Sequence, residues 1–246
     1  MATSRVQNSV YRFVEDSILE LENAGHNPDY NGVLVSEDTL LVIDGMACNL
    51  QLYRRRDGKL LYTSHMLESS PWCACLIGRA EVAVCLWGST IVILSFKSID
   101  DVKLVKTLDI RTEIKECHSV AKLNSSDKLV VSGKKDDDML YWFVVNLTDG
   151  RVDSTHNICK GDFSHLAIKE NTIYISCWTD DSTGDGVYAY DIFNPHTHKF
   201  LYQHHGFRPN SIMVDERNFI NVCDMNSNNI HQLTDSGQLV NIQTVS

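Results

Sequence analysis

Five apolar, β-rich runs recur at nearly constant spacing and predict an all-β chain, a β-propeller of four-stranded blades. The runs are Leu40–Ile43, Val82–Leu86, Leu129–Ser132, Ile173–Cys177 and Phe219–Cys223. A marker residue follows each: Asp44, Trp87, Gly133, Trp178 and Asp224, at spacings of 43, 46, 45 and 46. A four-stranded blade takes about 40–45 residues or slightly more, whereas a leucine-rich repeat takes about 20–29. The units are rich in Val, Ile, Tyr and Trp with turn residues between, not in apolar positions at the helical period of about 3.6.

Each unit fills out as a blade. First strands are expected at Gly32–Val35, Trp72–Ile77, His118–Leu123, Ser164–Ile168 and Asn210–Val214. Turns rich in Glu, Asp, Asn and Ser lead into the marked strands. Third strands are expected at Asn49–Tyr53, Ile91–Phe96, Leu140–Val145, Val187–Asp191 and Ile230–Leu233. Asp57-Gly58, Asp149-Gly150 and Ser236-Gly237 favour tight hairpins into an outer strand such as Leu60–Tyr62 or Leu239–Asn241.

Composition narrows the function classes. The 246 residues carry a net charge of −10, with no cationic block longer than Arg54-Arg55-Arg56. Such a chain repels a phosphate backbone unless its cations gather on one face, so RNA binding is disfavoured. The first 22 residues have no uninterrupted apolar core, and the longest apolar runs are of strand length. Eight cysteines are scattered through apolar runs, without the CxxC pairs of a zinc site. That is how buried thiols are used in a reducing compartment, so a cytoplasmic location is expected, with no membrane. The sequons at Asn124 and Asn146 read as chance matches.

The run Arg208-Pro209-Asn210-Ser211-Ile212-Met213-Val214-Asp215 continues through Phe219–Asp224 to Asn228-Asn229-Ile230-His231-Gln232-Leu233 and Gly237. It resembles an NHL repeat. Leu40–Gly58 matches the same frame more loosely. Ser70-Pro71-Trp72 with Glu81–Val84 is similar to blades in the C-terminal propellers of tripartite-motif proteins, especially the invertebrate sets. The resemblance covers roughly residues 30–246 and implies a substrate-recruiting propeller of a ubiquitin ligase system. Such propellers usually have six blades, and five are legible here. Trp87, Gly133 and Trp178 depart from the Asp of the pattern, and the zinc-module spacings of tripartite-motif proteins are absent from these residues.

Residues 1–29 read as an N-terminal helix, a closing segment or a linker, and residues 30–246 as the propeller. Val6, Val10, Phe13, Val14, Ile18 and Leu21 sit at helical spacing, while residues 9–14 alternatively form a strand. An open sheet edge leaves backbone groups unpaired, so residues 6–21 or 30–35 are expected to pack near the last blade. Deleting residues 1–29 is then expected to lower the melting temperature and promote oligomers. An unchanged melt of a monomeric truncation would make the segment a dispensable tail.

The chemistry-bearing residues are sparse. Neither a phosphate-binding Gly loop, nor a GxSxG elbow, nor HExxH occurs. In His118-Ser119 and Ser164-His165 the neighbours point to opposite sheet faces, so neither makes a nucleophile–base couple. His196, His198, His204 and His205 read as solvated turn residues. Thr179–Gly186 begins like a calcium loop, but Ile192 stands where the closing Glu belongs. Asp136-Asp137-Asp138 reads as a solvated loop.

The aromatics are the better lead. In a propeller the loops before the first strand and after the second open on one face, where aromatics anchor partners. Trp72, Trp87, His118, His165, Trp178 and Asn210 are the candidate binding residues on that face; for the tryptophans, packing between blades is the competing role. The expectation is a non-catalytic protein-interaction propeller with protein partners and no cofactor or metal. An RNA-binding propeller and a small-ligand or enzymatic propeller are the alternatives.

Overall fold

The computed structural model describes residues 30–64, 67–98, 101–124, 126–137, 139–179 and 184–244. Among them are twenty strands and no helix. The strands form five four-stranded antiparallel sheets, each a meander in chain order. Blade one holds β1 (Tyr30–Ser36), β2 (Thr39–Asp44), β3 (Asn49–Arg54) and β4 (Leu60–Ser64). Blade two holds β5 (Pro71–Gly78), β6 (Glu81–Leu86), β7 (Thr90–Ser98) and β8 (Asp101–Asp109). Blade three holds β9 (Glu116–Lys122), β10 (Lys128–Lys134), β11 (Met139–Asn146) and β12 (Val152–Lys160). Blade four holds β13 (Phe163–Lys169), β14 (Thr172–Trp178), β15 (Gly186–Asp191) and β16 (His198–Tyr202). Blade five holds β17 (Pro209–Val214), β18 (Ile220–Asp224), β19 (Asn229–Leu233) and β20 (Leu239–Thr244). This is the predicted β-propeller of four-stranded blades. The expected segment at residues 1–29 lies outside the described residues.

The chain divides into two compact units, one ending at Asp109 and the other beginning at Ile110. In the first, Leu41, Ile43, Leu50 and Leu52 of blade one pack against Val82, Val84, Leu86 and Leu94 of blade two. The second strand of each blade is buried on both faces, which explains its continuous apolar run. In the second unit, Leu140, Trp142 and Val144 pack against Leu166, Ile173, Ile175 and Cys177. A further cluster joins Tyr174 and Val187 of blade four to Ile212, Ile220 and Val222 of blade five. β9 packs on β13, and β13 on β17.

Serine hydroxyls bind these blades together. Ser119 accepts from the Leu166 amide at 3.3 Å, Ser132 donates to the Ser164 carbonyl at 3.1 Å, and Ser176 donates to the Asn210 carbonyl. The first two tie blade three to blade four, and the third ties blade four to blade five. β20 is exposed along all six residues, Leu239, Val240 and Ile242 included. Five of the eight cysteines are buried.

The markers do not share one structural role. Asp44 and Asp224 end their strands as buried turn acceptors. Asp44 takes the Ala47 amide at 2.9 Å, and Asp224 takes the amides of Arg208 and Asn226 and the Ser227 hydroxyl. Gly133, expected after its strand, lies inside β10, which continues to Lys134.

Candidate functional site

Register irregularities at the start of the first strands set the site. In β9, Cys117 faces Gly133 and Ser119 faces Ser132, so His118 is an extra residue in a β-bulge. In β5, Pro71 faces Leu86 and Cys73 faces Cys85, which leaves Trp72 extra. In β17, Asn210 and Ser211 lie between the paired Pro209 and Ile212. Bulges bend a strand and re-aim side chains. Three of the six candidate residues, Trp72, His118 and Asn210, therefore leave the regular alternation at the same end of their blades. Gly133 permits the bulge in β9: a Cβ there would stand 2.0 Å from the Glu116 carbonyl oxygen.

In the second unit an aromatic column results. The His118 ring lies 5.0 Å from Phe163, at the start of β13. Phe163 stacks on Trp178 at 4.9 Å and 28°, and the Arg208 guanidinium covers Trp178 at 3.8 Å. Asp224 holds the Arg208 backbone, and the Asp162 amide donates to the Trp178 carbonyl at 3.0 Å. Lys134 pairs with Asp162 at 3.3 Å beside the column. Trp178 is only 9% exposed, so it supports the surface from beneath, and the half-buried Phe163 and Arg208 form its accessible part.

His118 is buried, with Nε2 3.7 Å from Glu116 Oε2. Burial depresses its pKa more than Glu116 raises it. Glu116 is held below the usual carboxylate range, first by the facing His118, with Lys134 and Lys115 adding. His165 is also buried, on β13. Burial, with His118 adding, lowers its pKa to about 4 against an opposing side-chain interaction with Asn210. His118, His165, Trp178 and Asn210 thus converge in one unit.

Trp72 and Trp87 meet in the other. Their indoles stack at 5.1 Å and 25°, and Trp87 is 48% exposed. The Trp87 amide donates to the Ser70 carbonyl at 2.6 Å, fixing the turn that carries it.

The remaining candidates stay apart. His198 stacks on Tyr190, His204 lies 5.7 Å from His231, and His196 lies 6.3 Å from His156. No group of three or more His, Cys, Asp or Glu among the described residues is placed to hold a metal ion. Asp185 of the calcium-like loop is buried and accepts from the Thr179 amide and hydroxyl; residues 180–183 lie outside the described residues. Asp137 accepts from the Tyr141 hydroxyl and the Met139 amide; Asp138 also lies outside. One pair escaped the sequence reading: Ser154 Oγ and His156 Nε2 are 3.0 Å apart on β12. They are two residues apart on one strand and so share a face. Phe163, Arg208 and Lys134 were missed as well. The only signals were the place of Arg208 before Pro209, of Lys134 after the marker Gly133, and of Phe163 before the expected strand Ser164–Ile168.

These blades and their loop-end aromatics define a five-bladed β-propeller. No known family pattern and no curated protein matches the sequence. Solved structures align with its fold. A chain of a nidogen/laminin complex aligns at TM-score 0.66 and 10% identity, over 85% of this chain and 76% of that one. A luciferin-regenerating enzyme aligns at TM-score 0.64 and 15% identity, over 85% and 73%. Virginiamycin B lyase from Staphylococcus aureus aligns at TM-score 0.63 and 12% identity, over 92% and 73%. At such identities the likeness shows the fold. No helix among the described residues is long and apolar enough to cross a membrane.

Proposed function

We propose that the chain is a non-catalytic protein-interaction propeller that captures an extended segment of a partner protein on the aromatic column, with Trp72–Trp87 as a separate patch. The observation that carries this reading is the Phe163–Trp178–Arg208 stack, held by a bulge, a buried Asp and an ion pair. Trp and Arg are the residue types that dominate binding energy at protein interfaces, and a stacked guanidinium is already ordered. The non-catalytic reading is supported at Ser154–His156. Among the described residues the imidazole meets Trp142, His196 and Ser154, but no carboxylate that would orient it as a base. The Arg208–Leu233 pattern supports the finer assignment to NHL-type propellers, recruiting substrates for a tripartite-motif ligase in the cytoplasm.

Selection of peptides from a displayed random library against the intact chain tests this. Arg208→Ala is expected to weaken the selected peptides about tenfold or more, roughly 1.4 kcal/mol, at unchanged melting temperature. Equal binding to both proteins would remove the column from the function. Single-stranded RNA is expected to bind weakly and to be lost steeply with salt. Tight, sequence-specific RNA capture at physiological salt, abolished by Arg208→Ala, would overturn the protein-interaction reading in favour of base stacking.

A further inference from the structure

One two-ring stack occurs twice in the chain, once in each unit. In unit two, Phe163 at the start of β13 lies on Trp178 at the end of β14, with centroids 4.9 Å apart and planes at 28°. In unit one, Trp72 in β5 lies on Trp87, directly after β6, at 5.1 Å and 25°. Each pair joins the first strand of a blade to the end of its second. The stacks differ in what covers the second ring. The guanidinium of Arg208, next to β17 of the following blade, lies over Trp178 at 3.8 Å, and Trp178 is 9% exposed. Trp87 is 48% exposed. Its surroundings suit a cation. The Ser69 hydroxyl donates to the Trp87 carbonyl at 3.2 Å, and the Ser70 hydroxyl donates to the Gly45 carbonyl, so loops 45–48, 67–70 and 87–89 meet at one end of blades one and two. These loops carry the exposed Glu68 and no Lys or Arg. Arg55, Arg56, Lys59 and Arg79 lie at the opposite end, in the turns between β3 and β4 and between β5 and β6. Met46, in the first loop, is exposed and adds apolar surface.

We propose that the exposed face of Trp87 takes an arginine side chain of a partner protein, in the place that Arg208 fills on Trp178. The inference rests on the protein-interaction reading of the chain, but on the Trp72–Trp87 patch and not on the aromatic column. Trp offers a cation the most favourable ring face. A guanidinium lies flat on that face and keeps its N–H edges for hydrogen bonds, whereas a lysine ammonium is a compact, strongly hydrated point charge. Trp72 backs the Trp87 ring and the Ser69 hydroxyl holds its backbone, so the face is ordered before the partner arrives. Glu68, adjacent to Ser69, supplies a carboxylate at the rim. The net charge of −10 draws any basic segment, and the Trp87 face then favours its arginines over its lysines.

Fluorescently labelled nona-arginine and nona-lysine are the probes, because they carry equal charge and differ in the group that meets the ring. Titrated with the intact chain at about 0.15 M salt, nona-arginine is expected to bind about fivefold tighter or more. Trp87→Leu keeps an apolar cover on Trp72 but removes the aromatic face. It is expected to bring the two peptides to equal affinity at an unchanged melting temperature. Trp87→Phe, with a weaker ring, is expected to keep a smaller preference. Arg208→Ala should leave the preference intact. The proposal is overturned by equal affinities in wild type, by a preference undiminished in Trp87→Leu or Trp87→Phe, or by one that Arg208→Ala abolishes. The column has its own test, the loss of library-selected peptides in Arg208→Ala, so the two readings can fail separately.

Discussion

Gly133→Ala is expected to destabilise the second unit by about 3 kcal/mol, the upper part of the usual range for an overpacked interior. The added Cβ would stand 2.0 Å from the Glu116 carbonyl oxygen and 3.3 Å from the Cys117 Cα, both backbone atoms. Backbone cannot swing aside as a flexible side chain does. Relief requires β9 to move off β10, and the strain falls on the bulge that places His118 against Phe163. For a chain of this size the melting temperature should fall by roughly 10 °C. Gly88→Ala is the matched control. Gly88 has φ +93°, a left-handed backbone that disfavours a side chain, but no atom lies within 4 Å of the added Cβ. Its cost should be about 1 kcal/mol. Equal melting shifts in the two variants would show that the close approach at Gly133 is not what constrains this blade.

How much of this was legible in the sequence follows from what each feature depends on. The strands were legible because the second strand of every blade is buried on both faces, and burial on both faces writes an unbroken apolar run such as Val82–Leu86. Asp44 and Asp224 were legible as strand ends, since a short acceptor that closes a turn is a local device. Gly133 misled for the opposite reason. It is glycine because of a neighbouring strand's carbonyl, and nothing in the local sequence reveals that carbonyl. His118, Trp72 and Asn210 were picked out for their place before or at the first strands, and the bulges that redirect them are register features invisible in one strand alone. The Phe163–Trp178–Arg208 stack joins residues as far as 45 positions apart, so only packed blades expose it. Trp178 illustrates the remaining ambiguity. Its sequence position matches that of Trp87, yet Trp178 is buried beneath Arg208 and Trp87 is half exposed.

Acidification from pH 7 to pH 4 is expected to remove about 3 kcal/mol of stability through His165 alone. The imidazole is buried on β13, faces His118 and Asn210, and has its pKa lowered from 6.5 to about 4, chiefly by burial. The folded chain therefore holds this ring neutral where the unfolded chain protonates it. Between those two values the unfolded state binds more protons, so stability rises with pH across the interval. The contribution is complete above about pH 6.5 and is lost as pH falls to about 4; at about 1.36 kcal/mol per tenfold change in proton affinity this is about 3 kcal/mol. His118, lowered in the same direction by burial, steepens the loss, and Glu116, lowered by the facing His118, extends it to more acidic pH. Melting temperature measured from pH 7.5 to pH 4 in wild type, His165→Gln and the exposed-residue control His205→Gln checks the assignment. His165→Gln should melt lower than wild type at pH 7.5 and show a shallower decline below pH 6.5, while His205→Gln should follow wild type. Parallel pH profiles for wild type and His165→Gln would mean that the acid sensitivity arises elsewhere, and that the buried ring beneath the column is not held neutral against protonation.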